Sequence, residues 1–230
     1  MTQTTYFPYG DKEINYLSSR DAVLGAAMKE IGYIRRETNP DLFSALVNAI
    51  VGQQISSKAQ ATVWARMVER FDPMTPECIA QASQEALQSV GISFRKVEYI
   101  KEIAISALDG RLDLASLETK SDEEVCRHLV EIKGIGVWTA EMLMTFSLQR
   151  PNIMSIDDLA ILRGLRMLYH HRKITPALFA KYKKRYSPYA SVASLYLWAI
   201  ASGACAGLVD HAPMTQAQKV AKAKKGKPAR

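Results

Sequence analysis

The chain has 230 residues, 48% apolar and 23% charged, with 30 Lys and Arg against 23 Asp and Glu for a net charge of +7. That composition suits a globular chain with a sizeable core and excludes a disordered, collagenous or disulfide-knotted one. No apolar run reaches the roughly 18–20 residues of a membrane span. Met1–Asp11 also lacks the basic-then-apolar pattern of a secretory signal, so a cytoplasmic protein is expected.

Helical periodicity dominates in chain order. Val23, Leu24, Ala27, Met28 and Ile31 share one face of a helix predicted over Asp21–Arg36. Asn39-Pro40 predicts a second helix with proline in its first turn, interrupted by Gly52. Further helices are predicted over Ser56–Arg70, from Thr75-Pro76 to about Val90 with Gly91 as the stop, and over Phe94–Asp109. Ser121-Asp122-Glu123-Glu124 is a capping box that launches Val125–Ile132. Lys133-Gly134-Ile135-Gly136 is a tight turn, and Val137–Leu148 is helical again. Thr175-Pro176 and Ser187-Pro188 each predict a cap followed by the first helical residue, and the last helix stops near Gly203. Strand signals are nearly absent, so the expected class is all-α, with around ten short helices.

Cys78, Cys126 and Cys205 are far apart, and His128, His170, His171 and His211 form no H-E-x-x-H pattern. Zinc, iron–sulfur and thioredoxin-like chemistry therefore have no sequence support. The charge is unevenly spread. Lys219, Lys222, Lys224, Lys225, Lys227 and Arg230 lie in an acid-free, flexible basic tail over 214–230, and 24 bases remain against 23 acids elsewhere. Such a tail suits an anionic polymer or surface.

The most informative segment is Leu129-Val130-Glu131-Ile132-Lys133-Gly134-Ile135-Gly136-Val137-Trp138-Thr139-Ala140. Two glycines allow a sharp reversal and close approach of another backbone. The amides of Gly136 and its successors open a helix, where unpaired donors and the positive dipole end suit a phosphate. This segment, over about 125–148, resembles the helix-hairpin-helix of base-excision DNA glycosylases. Gly52-Gln53-Gln54-Ile55-Ser56, Asp157-Asp158 and Tyr196-Leu197-Trp198 extend the resemblance to the 3-methyladenine DNA glycosylase II (AlkA-like) branch, from about Leu42 to Gly203.

The resemblance implies two packed helical subdomains with a DNA-binding cleft between them, forming one glycosylase domain over residues 1–213. It implies a short form, without the extra N-terminal α/β domain of larger relatives. It places the catalytic aspartate after the hairpin. Asp158 fits that role because Arg163 follows five residues later on the same helix, a spacing implied by the family, and Asp157 is left as a capping or supporting acid. The implied base pocket holds Trp138 and Trp198, with Met142 and Tyr196 as weaker members. Gln54 takes the wedge position that fills the hole left by a flipped base, beside Gln53. Gly134, Gly136, Lys133 and Thr139 are implied phosphate contacts. Carbonyls of Val130, Ile132 and Ile135 are implied ligands of a monovalent cation, sodium or potassium, and no cofactor is required.

A loop at Gly91-Ile92-Ser93-Phe94-Arg95-Lys96 resembles a second family loop facing the minor groove. There, Arg95 and Lys96 suit phosphates or form a solvated pair. In lyase-competent relatives a lysine stands two residues after the second hairpin glycine; here that residue is Trp138. The expected activity is monofunctional excision of alkylated purines, 3-methyladenine and 7-methylguanine, from duplex DNA by a DNA-associated monomer. The alternatives are a lyase-competent glycosylase for oxidised bases and a non-enzymatic damage-binding protein.

Overall fold

The computed structural model describes residues 5–213, so the basic segment over 214–230 lies outside the described residues. The described residues form two compact helical units. The first holds the chain up to Pro8 and Arg35–Asp157; the second holds Tyr9–Ile34 and the chain from Asp158 onward. Among the described residues the only strands are a two-residue antiparallel pair, β1 (Thr5–Tyr6) and β2 (Glu37–Thr38).

The first unit contains α3 (Leu42–Gly52), α4 (Ser57–Arg70), α5 (Pro76–Gln81), α6 (Gln84–Gln88), α7 (Phe94–Leu108), α8 (Asp122–Val130) and α9 (Val137–Phe146). A 3₁₀ turn covers Ala115–Glu118. Most of these helices begin where a short polar side chain binds the free amides of the first turn. Asp41, Ser56, Thr75, Ser83, Ser93 and Ser121 do so in turn. The Ser121–Glu124 capping box is fully formed. Phe43, Leu46, Val47 and Ile50 of α3 join Ile100 and Ile103 of α7 and Leu143 of α9 in one buried core.

The second unit contains α1 (Asp11–Arg20), α2 (Ala22–Ile31), α10 (Leu159–Tyr169), α11 (Pro176–Tyr186) and α12 (Ala190–Ala201). Ala190–Leu197 of α12 is wholly buried, so this helix is the axis of the unit. Gly164 lets α10 lie against it, because a Cβ there would stand 2.4 Å from the Leu197 carbonyl oxygen. Asp21 separates α1 from α2 and is buried. Its Oδ1 accepts the amides of Val23 and Leu24, and its Oδ2 accepts the Tyr169 hydroxyl and the Arg185 guanidinium.

Several boundaries depart from the sequence expectation. The helix expected over Asp21–Arg36 ends at Ile31, where Gly32 turns at φ 77°. Asp21 is its cap, and α1 has no counterpart among the expected helices. Pro40 stands before the Asp41 cap, outside the helix, because Asp41 takes the Ser44 amide at 3.1 Å. The segment from Thr75 to Val90 is two helices, since Ser83 caps Ala86 and restarts the chain. Ser187-Pro188 does not open a helix. Ser187 donates its amide to the Lys183 carbonyl and closes α11, and α12 starts at Ala190.

Burial acts to raise the Asp21 carboxyl, but the bonds from Leu24, Arg185 and Tyr169 outweigh it and hold it below the ordinary range. A carboxyl depressed by folding contributes stability above its unfolded value near 4, lost as pH falls through the folded value. Asp21→Ala should cost about 3 kcal/mol near neutrality, because it leaves Arg185 without its buried partner. The deficit relative to the unmodified chain should shrink on acidification, as read by urea melts at neutral and acid pH.

Candidate nucleic-acid interface and active-site carboxylate

The hairpin is built by two events at the end of α8. Ile132 and Ile135 point into the core, and the Ile135 amide donates to the Ile132 carbonyl at 3.0 Å. Gly134 between them turns at φ 95°, a left-handed conformation that disfavours side chains. The chain then enters α9 at Gly136, which offers no side-chain cap. The first-turn amides of α9 therefore lie at the positive end of the helix dipole. Gly136 is exposed, and a Cβ built on it meets nothing within 4 Å. That open amide end is a suitable place for an anion.

The expected phosphate contacts divide on this geometry. Gly136 and Lys133 are exposed, whereas Gly134 is half-buried against Tyr99. Lys133 is exposed, with its amine 3.9 Å from Glu98. The Thr139 side chain is only 3% exposed, which corrects its assignment: its hydroxyl is packed inside, and only its main chain belongs to the amide end.

The loop after α3 separates the roles of its two glutamines. Gln53 Nε2 donates to the Gly134 carbonyl at 2.9 Å. This corrects its assignment to the wedge, because its side chain ties the loop to the hairpin turn. Gln54 is exposed and turns at φ 58°, a conformation uncommon for a residue with a side chain. It is thus the protruding member of the pair. Lys96 is likewise withdrawn from solvent. Its amine donates to the Val51 carbonyl at 2.8 Å, and burial pulls it below its usual range.

Trp138 is 39% exposed in the first turn of α9, and half-buried Met142 follows one turn later. In the second unit, Trp198 and Ala199 are the half-buried positions along the otherwise buried stretch of α12 from Ala190 to Ile200. Tyr196 does not belong to this set, which corrects its assignment to the base pocket. It is fully buried; its hydroxyl donates to the Gly32 carbonyl at 3.1 Å and meets the Tyr9 hydroxyl at 3.3 Å.

Asp158 is buried, and its Oδ1 accepts the amides of Ala160 and Ile161, both at 2.9 Å. These bonds fix the carboxylate at the N-terminus of α10, where the helix dipole favours a negative charge. Asp157 is exposed and makes neither capping bond, so its expected capping role passes entirely to Asp158. Arg163 faces away from that cap: its Nε lies 3.8 Å from Asp210. Arg166 grips Asp210 with two bonds of 2.7 Å, which hold the Asp210 carboxyl below its usual range. Asp210 thereby pins the segment after α12 to α10. Among the described residues no group of three or more His, Cys, Asp or Glu could hold a metal, and no helix is long and apolar enough to cross a membrane.

Residues 47–188 match the family of HhH-GPD superfamily base excision DNA repair proteins. The chain is 35% identical to DNA-3-methyladenine glycosylase 1 of Schizosaccharomyces pombe, over 68% of its own length and 71% of the relative's. Its fold matches a DNA-3-methyladenine glycosidase of Bacillus halodurans at TM-score 0.76 and 36% identity, covering 86% of this chain and 93% of that one. It also matches a 3-methyladenine DNA glycosylase of S. pombe in complex with abasic DNA, at TM-score 0.75 and 31% identity, covering 83% and 97%.

The capping geometry separates the neighbouring acids by stability alone. Asp158→Ala should cost about 1 kcal/mol by removing the cap, whereas Asp157→Ala should stay within about 0.5 kcal/mol of the unmodified chain. Urea melts of the two variants provide the check.

Proposed function

Since the chain belongs to the HhH-GPD superfamily of base excision DNA repair proteins, in its 3-methyladenine DNA glycosylase branch, we propose that it hydrolyses the N-glycosidic bond of alkylated purines in duplex DNA. The substrates proposed are 3-methyladenine and 7-methylguanine, excised by a monomer after the nucleotide is flipped from the stack. The observation that carries the reading is the buried Asp158 carboxylate, fixed by two amides at the start of α10.

Departure of a base builds positive charge on the sugar. A carboxylate already oriented by its cap stabilises that charge without rearranging as it forms, and it also positions the attacking water. An alkylated purine carries its own positive charge and is a good leaving group, so recognition matters more than strong acid catalysis. In this reading Trp138 and Trp198 supply faces for the cationic base, with Met142 as a softer wall. The amide end of α9, with Gly134, Gly136 and Lys133, takes a backbone phosphate. Gln54 enters the gap in the stack and offers hydrogen bonds to the orphaned partner.

Trp138 at the position of the strand-cutting lysine favours base removal without a Schiff base. The carbonyls of Val130, Ile132 and Ile135 are proposed to hold a sodium or potassium ion. They are uncharged oxygen donors of the kind such ions take. The Val130 carbonyl fits this role as one of the last in α8, beyond the reach of intrahelical donors.

Asp158→Asn keeps the shape and removes the anion. It should lower excision by about a thousandfold while duplex binding persists, whereas Asp157→Asn should retain near-full activity. Alkali-induced strand breaks in duplexes carrying single defined lesions measure both, and normal excision by the double variant would remove the mechanism. Gln54→Ala should slow excision in paired duplex much more than opposite a mismatch, where less stacking opposes extrusion. Equal losses in the two contexts would return the loop to a structural role.

A further inference from the structure

The first unit brings the start of α7 and the hairpin together on the ring of Tyr99, a residue the sequence did not single out. Tyr99 is half-buried against the core, one turn after Arg95 on α7. Arg95 Nε donates to the Tyr99 hydroxyl at 2.6 Å, and its guanidinium carbon lies 5.5 Å from the ring centroid. The Lys133 amine lies 6.0 Å from the same centroid. The hairpin turn itself rests on the ring, because a Cβ on Gly134 would stand 2.5 Å from Tyr99 Cγ. Gln53 then joins the Gly134 carbonyl to the loop after α3, and Lys96 joins the first turn of α7 to the Val51 carbonyl. The base of the Gln54 loop, the start of α7 and the hairpin therefore share one anchoring point.

Two features make this more than packing. Arg95 and Lys133 are both exposed, and both are steadied by Tyr99, Arg95 through the hydroxyl and Lys133 through the ring. A long cationic side chain held this way loses less freedom on meeting an anion, and guanidinium and ammonium groups are the usual phosphate partners. The acid facing Lys133 is Glu98 at 3.9 Å, an exposed pairing of small energetic weight. Resting on the glycosylase reading above, we propose that Tyr99 is a positioning residue that presents Arg95 and Lys133 to the backbone phosphates of duplex DNA, beside the hairpin amides and the Gln54 loop. The three elements that grip the strand are thereby held in fixed register with one another.

The test is the salt dependence of binding to a short duplex carrying one abasic site, with thermal melts confirming that each variant is folded. Arg95→Ala/Lys133→Ala should weaken binding about tenfold at moderate salt and flatten the log K against log salt slope by about 0.9 for each phosphate no longer neutralised. Tyr99→Leu should approach that double variant in both quantities. Tyr99→Phe keeps the ring, so it should retain the Lys133 contribution and lose part of that from Arg95. Its effect should vanish in an Arg95→Ala background, which a merely structural tyrosine would not produce. Salt-dependent binding by the unmodified protein with an unchanged slope in Arg95→Ala/Lys133→Ala overturns this site alone, as does a Tyr99→Phe loss of equal size in both backgrounds. No salt-dependent duplex binding by the unmodified protein overturns the glycosylase reading and this site together.

Discussion

The reversal between α8 and α9 depends on Gly134. The chain must leave a helix, bury Ile132 and Ile135 in the core, and start a new helix after Gly136, which offers no side-chain cap. That path passes through φ 95° at a point where the Tyr99 ring already occupies the space of a side chain. Any other residue there meets both a conformational penalty and a steric one. The Gly134 carbonyl is also where Gln53 attaches. One backbone position thus sets the direction of the α9 amides and the height of the Gln54 loop.

The second unit solves a different problem, which is to fix a buried carboxylate in orientation. Asp158 is oriented by two amides at a helix N-terminus, while Arg163 turns to Asp210. Amide donors fix orientation without supplying a full opposite charge to neutralise the group. Asp21 also caps a helix in this unit. Arg185 and Tyr169 occupy its other oxygen, and it holds α1, α2, α10 and α11 together.

In the first unit the polar groups around the hairpin are separated by whether main-chain carbonyls have already taken them. Gln53 and Lys96 are spent on main-chain carbonyls, whereas Gln54, Arg95 and Lys133 remain exposed. Tyr196 and Trp198 stand two residues apart on α12, yet the tyrosine belongs to the core and the tryptophan lies at its edge.

The all-α class, the capping box at Ser121, the cap at Thr175 and the G-I-G turn were all legible in the sequence, because each rests on interactions within a few residues along the chain. The choice of Asp158 over Asp157 rests, in the sequence, on family spacing to Arg163, although the structure pairs Arg163 with Asp210; what distinguishes Asp158 in the fold is its pair of capping bonds. The split helix over 75–90, the cap-closing role of Ser187 and the burial of Thr139 and Tyr196 were not legible. Nor were the role of Gln53, which depends on a carbonyl 81 residues away, and the assembly around Tyr99. Local hydrogen-bonding chemistry repeats wherever its residues occur and so can be read from order alone. Which side chain is spent on a distant partner is decided only when packing brings remote segments together.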